Sequence, residues 1–95
     1  MARKALVVFD LSGIATVRDL HALMARSLDF PDWYGPNWDA FWDVIIGLVE
    51  MPDTLRLLGW ESFRQRFPRD AWIMKKCLDD LAAEYPSNAS VVEYR

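Results

Sequence analysis

The sequence predicts a single small α/β domain, a three-stranded parallel sheet packed by about four helices. Three observations carry that expectation. Short apolar runs rich in β-formers occur at residues 4–9, 53–58 and 89–94, and segments with helical spacing lie between them. Strands separated by helices favour parallel pairing through right-handed crossovers. The 95 residues are 53% hydrophobic and include five Trp and five Phe. At about 1.5–3 kcal/mol per fully buried side chain, that is enough for a core without metal or disulfide.

The elements follow in chain order. Residues 4–9 (KALVVF) read as a strand covered on both faces, because the apolar run is continuous rather than alternating. Leu11-Ser12-Gly13 turns the chain. Thr16 and Asp19 make a short-armed capping box for a first helix over residues 17–28, with Leu20, Leu23, Met24 and Leu28 at helical spacing. Two prolines and a glycine make residues 30–36 (FPDWYGP) a loop. Asn37 caps a second helix over residues 38–50, which Pro52 ends. A strand at 53–58 leads through Gly59 into a short helix near 61–66. Asp70 caps the last helix, which runs to about residue 85 with Met74, Cys77, Leu78, Leu81 and Tyr85 as its apolar stripe. Pro86-Ser87-Asn88 stops it before the final strand. No repeat or linker divides the chain, so residues 1–95 are expected to form one domain.

Cys77 is the single cysteine, so no intrachain disulfide can form. At core spacing it reads as a small buried hydrophobe rather than a nucleophile. The apolar run that follows Met1-Ala2-Arg3-Lys4 stops at Asp10, too short for a signal-peptide core or a membrane span. A reducing cytoplasm is the expected compartment. The net charge of −3 hides an uneven distribution. Between Arg26 and Arg56 there is no Lys or Arg, whereas Asp29, Asp32, Asp39, Asp43, Glu50 and Asp53 all lie there, so the rest of the chain is net basic. Such an acidic stretch points to a basic partner and away from nucleic acid.

At 100° per residue the second helix separates into faces. Trp38, Phe41, Ile45, Leu48 and Val49 make a buried stripe, with Trp42 at its edge and Val44 on the other flank. Asp39, Asp43 and Glu50 share another face, joined by Ile46. Asp39 and Asp43 are four residues apart, and like charges so placed cost a few tenths of a kcal/mol. One reading is a solvated face whose acids suit a helix N-terminus. Against it, no basic residue adjoins to relieve the repulsion. The preceding loop also offers Trp33 and Tyr34, side chains of the kind enriched at binding hot spots. Together they look like half of a charge-complementary interface.

Other chemistry fits less well. Paired carboxylates on one exposed helix face lack the opposing wall that glycoside hydrolysis needs, and no second carboxylate motif completes a magnesium site. His21 reads as a helix-surface or boundary histidine. There is no phosphate-binding glycine loop, zinc spacing or nucleophile elbow. Single-strand nucleic acid binders couple aromatics to positive grooves, whereas these aromatics sit among acids. No catalytic residue, cofactor or metal is expected, and no nucleic acid, membrane or small-molecule substrate.

Over Asp32-Trp33-Tyr34-Gly35-Pro36-Asn37-Trp38-Asp39-Ala40-Phe41-Trp42-Asp43 the chain resembles the barstar family, intracellular inhibitors of barnase-type ribonucleases. The family pattern is an aromatic pair, Gly, any residue, Asn, any residue, Asp-Ala, then an Asp four residues after the first. Asp19-Leu20-His21 upstream and Gly47, Val49-Glu50 and Pro52 downstream match as well. The likeness is close over residues 17–52 and follows element order elsewhere. It implies a three-stranded parallel sheet packed by helices and a non-enzymatic inhibitor bound 1:1 to a basic extracellular-type ribonuclease or related toxin. By that resemblance Asp43 matches the principal inhibitory carboxylate and Asp39 a second contact. Trp33 matches a loop tyrosine, Gly35 a loop glycine, Trp42 a tryptophan beside the interface and Asp80 a supporting glutamate. Tyr34, Asn37, Ile46 and Glu50 complete the expected partner-binding set. Trp33 lacks the tyrosine hydroxyl, Pro36 stiffens the loop and Trp38 stands where the family has Leu. These departures bear on which partner is bound rather than on how. The alternative is an interaction module of the same fold that binds another basic protein.

Overall fold

Three parallel strands, β1 (Leu6–Asp10), β2 (Thr54–Leu58) and β3 (Val91–Tyr94), pair in the order β1-β2-β3. Val7 lies opposite Leu55, Leu55 opposite Val92 and Leu57 opposite Tyr94. Four helices connect them: α1 (Val17–Ser27), α2 (Trp38–Ile45), α3 (Trp60–Arg66) and α4 (Pro68–Glu84). Short 3-10 turns at Leu11–Gly13 and Pro86–Asn88 complete the chain. The computed structural model describes residues 3–95. The lead-in read at Met1 and Ala2 lies outside the described residues.

The sheet is covered on one face only, which corrects the two-sided burial expected of residues 4–9. Val7, Phe9, Leu55 and Leu57 are buried, whereas Leu6 and Val8 are exposed on the reverse side. The reason is topological. Successive right-handed crossovers that move in one direction across a sheet deliver their helices to the same side. On the open face an Arg56–Glu93 ion pair at 2.7 Å spans β2 and β3. On the covered face Leu20 and Met24 of α1, Phe41, Val44 and Ile45 of α2, Phe63 of α3 and Ala71, Met74, Leu78 and Leu81 of α4 close the core.

Local chemistry fixes several helix ends as expected. The Thr16 hydroxyl accepts from the Asp19 amide at 3.1 Å, and the Asp19 carboxylate accepts from the Thr16 amide at 3.2 Å. Asp29 then adopts a left-handed φ of 57° just past α1, a conformation that Asp tolerates better than most residues. Gly59 opens α3 with φ 73°, and a Cβ there would lie 3.2 Å from the Ser12 amide nitrogen.

Other ends depart from expectation. The last helix begins at Pro68, where the missing amide hydrogen costs nothing. Asp70 sits in its first turn rather than at its cap, and its carboxylate accepts from the Trp38 indole at 2.9 Å. The second helix stops at Ile45 rather than residue 50. Asn88, more than forty residues away, donates from Nδ2 to the carbonyls of Ile45 at 2.7 Å and Val49 at 3.0 Å. Its Oδ1 accepts from the Met51 amide. With the chain turned there, Leu48 is 56% exposed instead of buried, and Val44 takes its place in the core. Tyr85 is exposed and Cys77 half-buried, so both lie at the margin of the α4 stripe. Arg3 straps the same end of the sheet by donating to the carbonyls of Met51, Pro52 and Ala89.

Candidate functional site

The loop before α2 is built from its own backbone bonds and an aromatic floor. The Tyr34 amide donates to the Pro31 carbonyl at 2.9 Å, and the Asn37 amide donates to Gly35 at 2.8 Å. Phe30 is buried beneath, its ring 4.7 Å from that of Tyr34 and 6.1 Å from Phe41. The two neighbouring aromatics of the motif go opposite ways. Trp33 is 67% exposed, whereas Tyr34 turns inward and its hydroxyl lies 2.5 Å from Nδ1 of His21. Asn37 is the helix cap, accepting from the Ala40 amide at 2.8 Å. A Cβ on Gly35 would come within 3.0 Å of the Asn37 amide group, so Gly35 makes room for the cap.

The structure sorts the six acids of the stretch into two groups. Asp29 faces Lys4 at 3.5 Å and Asp53 faces Arg3 at 3.6 Å, loose pairs at the surface. Asp32, Asp39, Asp43 and Glu50 are exposed, and none has an ion-pair partner among the described residues. Asp39 and Asp43 remain one turn apart on the outer face of α2. Glu50 does not join them as expected, because the helix ends before it. It lies beside a cleft with Lys4, Asp29, Leu48 and Val49. Asp80 on α4 is held by Lys76 at 3.0 Å. The charges of Asp80 and, more weakly, Asp39 are both felt at the Cys77 thiol of α4. Burial, the largest influence on that thiol, pushes its pKa up, so Cys77 stays protonated and unreactive.

Aromatic contacts frame the acids. Trp42 is half-buried, with its ring 6.1 Å from Tyr85 at the end of α4. Ile46 is half-buried against the core. Trp38 donates inward to Asp70, and its ring meets that of His21 at a tilt of 57°, with centroids 4.5 Å apart. His21 is the main departure from expectation: it is 1% exposed, not a surface or boundary residue. The loop folds back over α1 and encloses it. The spacing could have shown this, because Val17, Leu20, His21, Met24 and Leu28 fall at i, i+3, i+4, i+7 and i+11, a single helical stripe. Asn88 and Asp70 left no such trace, since a polar side chain that reaches a distant element has no local period.

Fold and site together define a two-layer α/β domain with an acidic helix face, framed by aromatics and without an ion-pair partner among the described residues. The chain belongs to the barstar (barnase inhibitor) family, whose model matches residues 4–94. It is also 40% identical over 55 residues to a Bacillus subtilis (strain 168) protein named "Putative ribonuclease inhibitor YrdF". That match covers 58% of this chain and 60% of the relative.

Proposed function

We propose that this chain is an intracellular inhibitor of a small, basic, secreted-type ribonuclease or related toxin, and blocks its active site in a 1:1 complex. The carrying observation is the Asp39–Asp43 face: two exposed carboxylates one turn apart, without an ion-pair partner among the described residues. A ribonuclease must hold RNA phosphate with positive side chains. Asp43 occupies that phosphate position, and Asp39 pairs with a neighbouring cation. Exposed Trp33 covers the nucleotide pocket, while Trp42 and Ile46 supply the apolar margin. Tyr34, Gly35 and Asn37 shape the loop and the start of the helix. Asp80 contributes by swinging from Lys76 to a partner cation, and Glu50 adds long-range attraction from beyond the helix end.

The family match supports this reading, and so does the named role of the Bacillus relative. The test is RNA cleavage by a barnase-type ribonuclease titrated with this protein. Cleavage should vanish near equal molar ratio, and Asp43→Ala should restore it. Binding that leaves cleavage intact would instead make the chain an interaction module, and an Asp43→Ala variant with full inhibition would refute the phosphate-mimic role.

A further inference from the structure

Side chains from distant parts of the chain hold both ends of α2. At its far end Asn88 takes up the carbonyls of Ile45 and Val49. At its start the indole N–H of Trp38 donates to the Asp70 carboxylate, in the first turn of α4. The Asn37 cap is different in kind. Its side chain accepts from Ala40 of the same helix, which fixes where α2 begins but not where it points. A helix of eight residues is too short to be stable alone, so its direction comes from what it is packed against and tied to.

Asp70 is an acid with one partner. It is half-buried, and among the described residues its carboxylate makes no ion pair and accepts no hydrogen bond except that of Trp38. The His21 ring feels its charge, but burial outweighs Asp70 and pushes the imidazole pKa down, so no imidazolium faces Asp70 at neutral pH. Desolvating a carboxylate is unfavourable unless a donor is aimed at it, and here the indole is that donor. Trp38 in turn is wedged between His21 of α1 and the edge of Phe41, 5.3 Å away.

We infer that Asp70 is a positioning residue for the proposed binding face: through the Trp38 indole it sets the rotation and direction of α2 against α4, and so where Asp39 and Asp43 point. Asp39 directly follows Trp38, and Asp43 lies one turn further on. With the indole drawn inward, both carboxylates stand on the outer face. The relevance to inhibition rests on the function proposed above, but the clamp itself belongs to the free protein. A Leu at position 38, as the family has, offers no such donor. Satisfying a buried indole N–H is also a structural need in its own right, and that need alone would affect stability without setting the direction of α2.

The experiment measures residual dipolar couplings of the α2 amides in the free protein, with α1 and α4 as reference, and inhibition of a barnase-type ribonuclease. Asp70→Ala removes the acceptor, and Trp38→Phe keeps a ring but removes the donor. In each, the α2 couplings should depart from wild type while those of α1 and α4 hold, and the inhibition constant should rise roughly three- to thirtyfold. Asp70→Asn, whose side-chain oxygen still accepts, should retain both. The double variant should lose no more than either single one, because both break the same bond. Wild-type α2 couplings in Asp70→Ala would overturn the assignment, as would a turned helix with undiminished inhibition. Equal losses in Asp70→Asn and Asp70→Ala would overturn it too, by making the charge rather than the bond responsible. A wild-type protein that fails to inhibit would refute the function proposed above instead, and the couplings would then decide the clamp by themselves.

Discussion

Two exposed helix faces of this domain set charges four residues apart and treat their acids in opposite ways. On α4, Lys75 pairs with Asp79 at 2.8 Å and Lys76 with Asp80 at 3.0 Å, each four residues apart. On α2, Asp39 and Asp43 stand four residues apart, and neither has an ion-pair partner among the described residues. The first face satisfies itself. The second accepts a standing repulsion, which an outside cation, as in the proposed complex, would relieve. Its aromatic frame sharpens the contrast, because Trp33 and Trp42 flank the unpaired acids. Exposed Trp72 on α4 sits among Arg64 and Lys75 instead.

The comparison breaks most sharply at Asp43. Asp43→Ala should cost about 2–5 kcal/mol of binding to the ribonuclease, or more, whereas Asp79→Ala should cost within about 0.5 kcal/mol. The larger range is borrowed from charge pairs of the barnase–barstar complex itself. Calorimetric titration decides; similar losses at the two positions would erase the distinction between the faces. Next in size is Asn88→Ala. It strips the far-end support from α2 and leaves the partly buried carbonyls of Ile45 and Val49 unsatisfied, so denaturant unfolding should show a loss of about 1–3 kcal/mol. A stability unchanged by that substitution would mean α2 ends for local reasons.

A smaller effect tests the repulsion directly. Asp43→Lys replaces a like-charge pair with an opposite one and should stabilise the free domain by roughly 0.4–1 kcal/mol while abolishing inhibition. Thermal melts of a domain that gains nothing would show that solvent already screens the α2 acids. Smallest is Lys76→Ala, which frees Asp80. The melting temperature should stay almost unchanged, while stopped-flow association with the ribonuclease quickens slightly at low salt. Slower association would place Asp80 outside the field that the partner feels.

Much of this was legible before any coordinates. The capping box of Thr16 and Asp19, the Asn37 cap and the breaks at residues 30–36 depend on neighbours in sequence, and all formed. So did the spacing that sets Asp39 above Asp43. His21 lies on the apolar stripe of α1 and is buried, although a polar residue type by itself favours the surface. Leu48 and Glu50 lie beyond the end of α2, because Asn88, from the distant turn at Pro86–Asn88, takes up the carbonyls there.

Local order, the number of strands and helices and the charge pattern were thus determined by the sequence itself, because they rest on interactions within about one turn of chain. Tertiary structure alone decided which sheet face stays open, where α2 stops, which acids find partners and that Tyr34 turns inward to His21. Those outcomes depend on groups brought together by packing from distant parts of the chain, where neither hydrophobic period nor capping residue carries a signal.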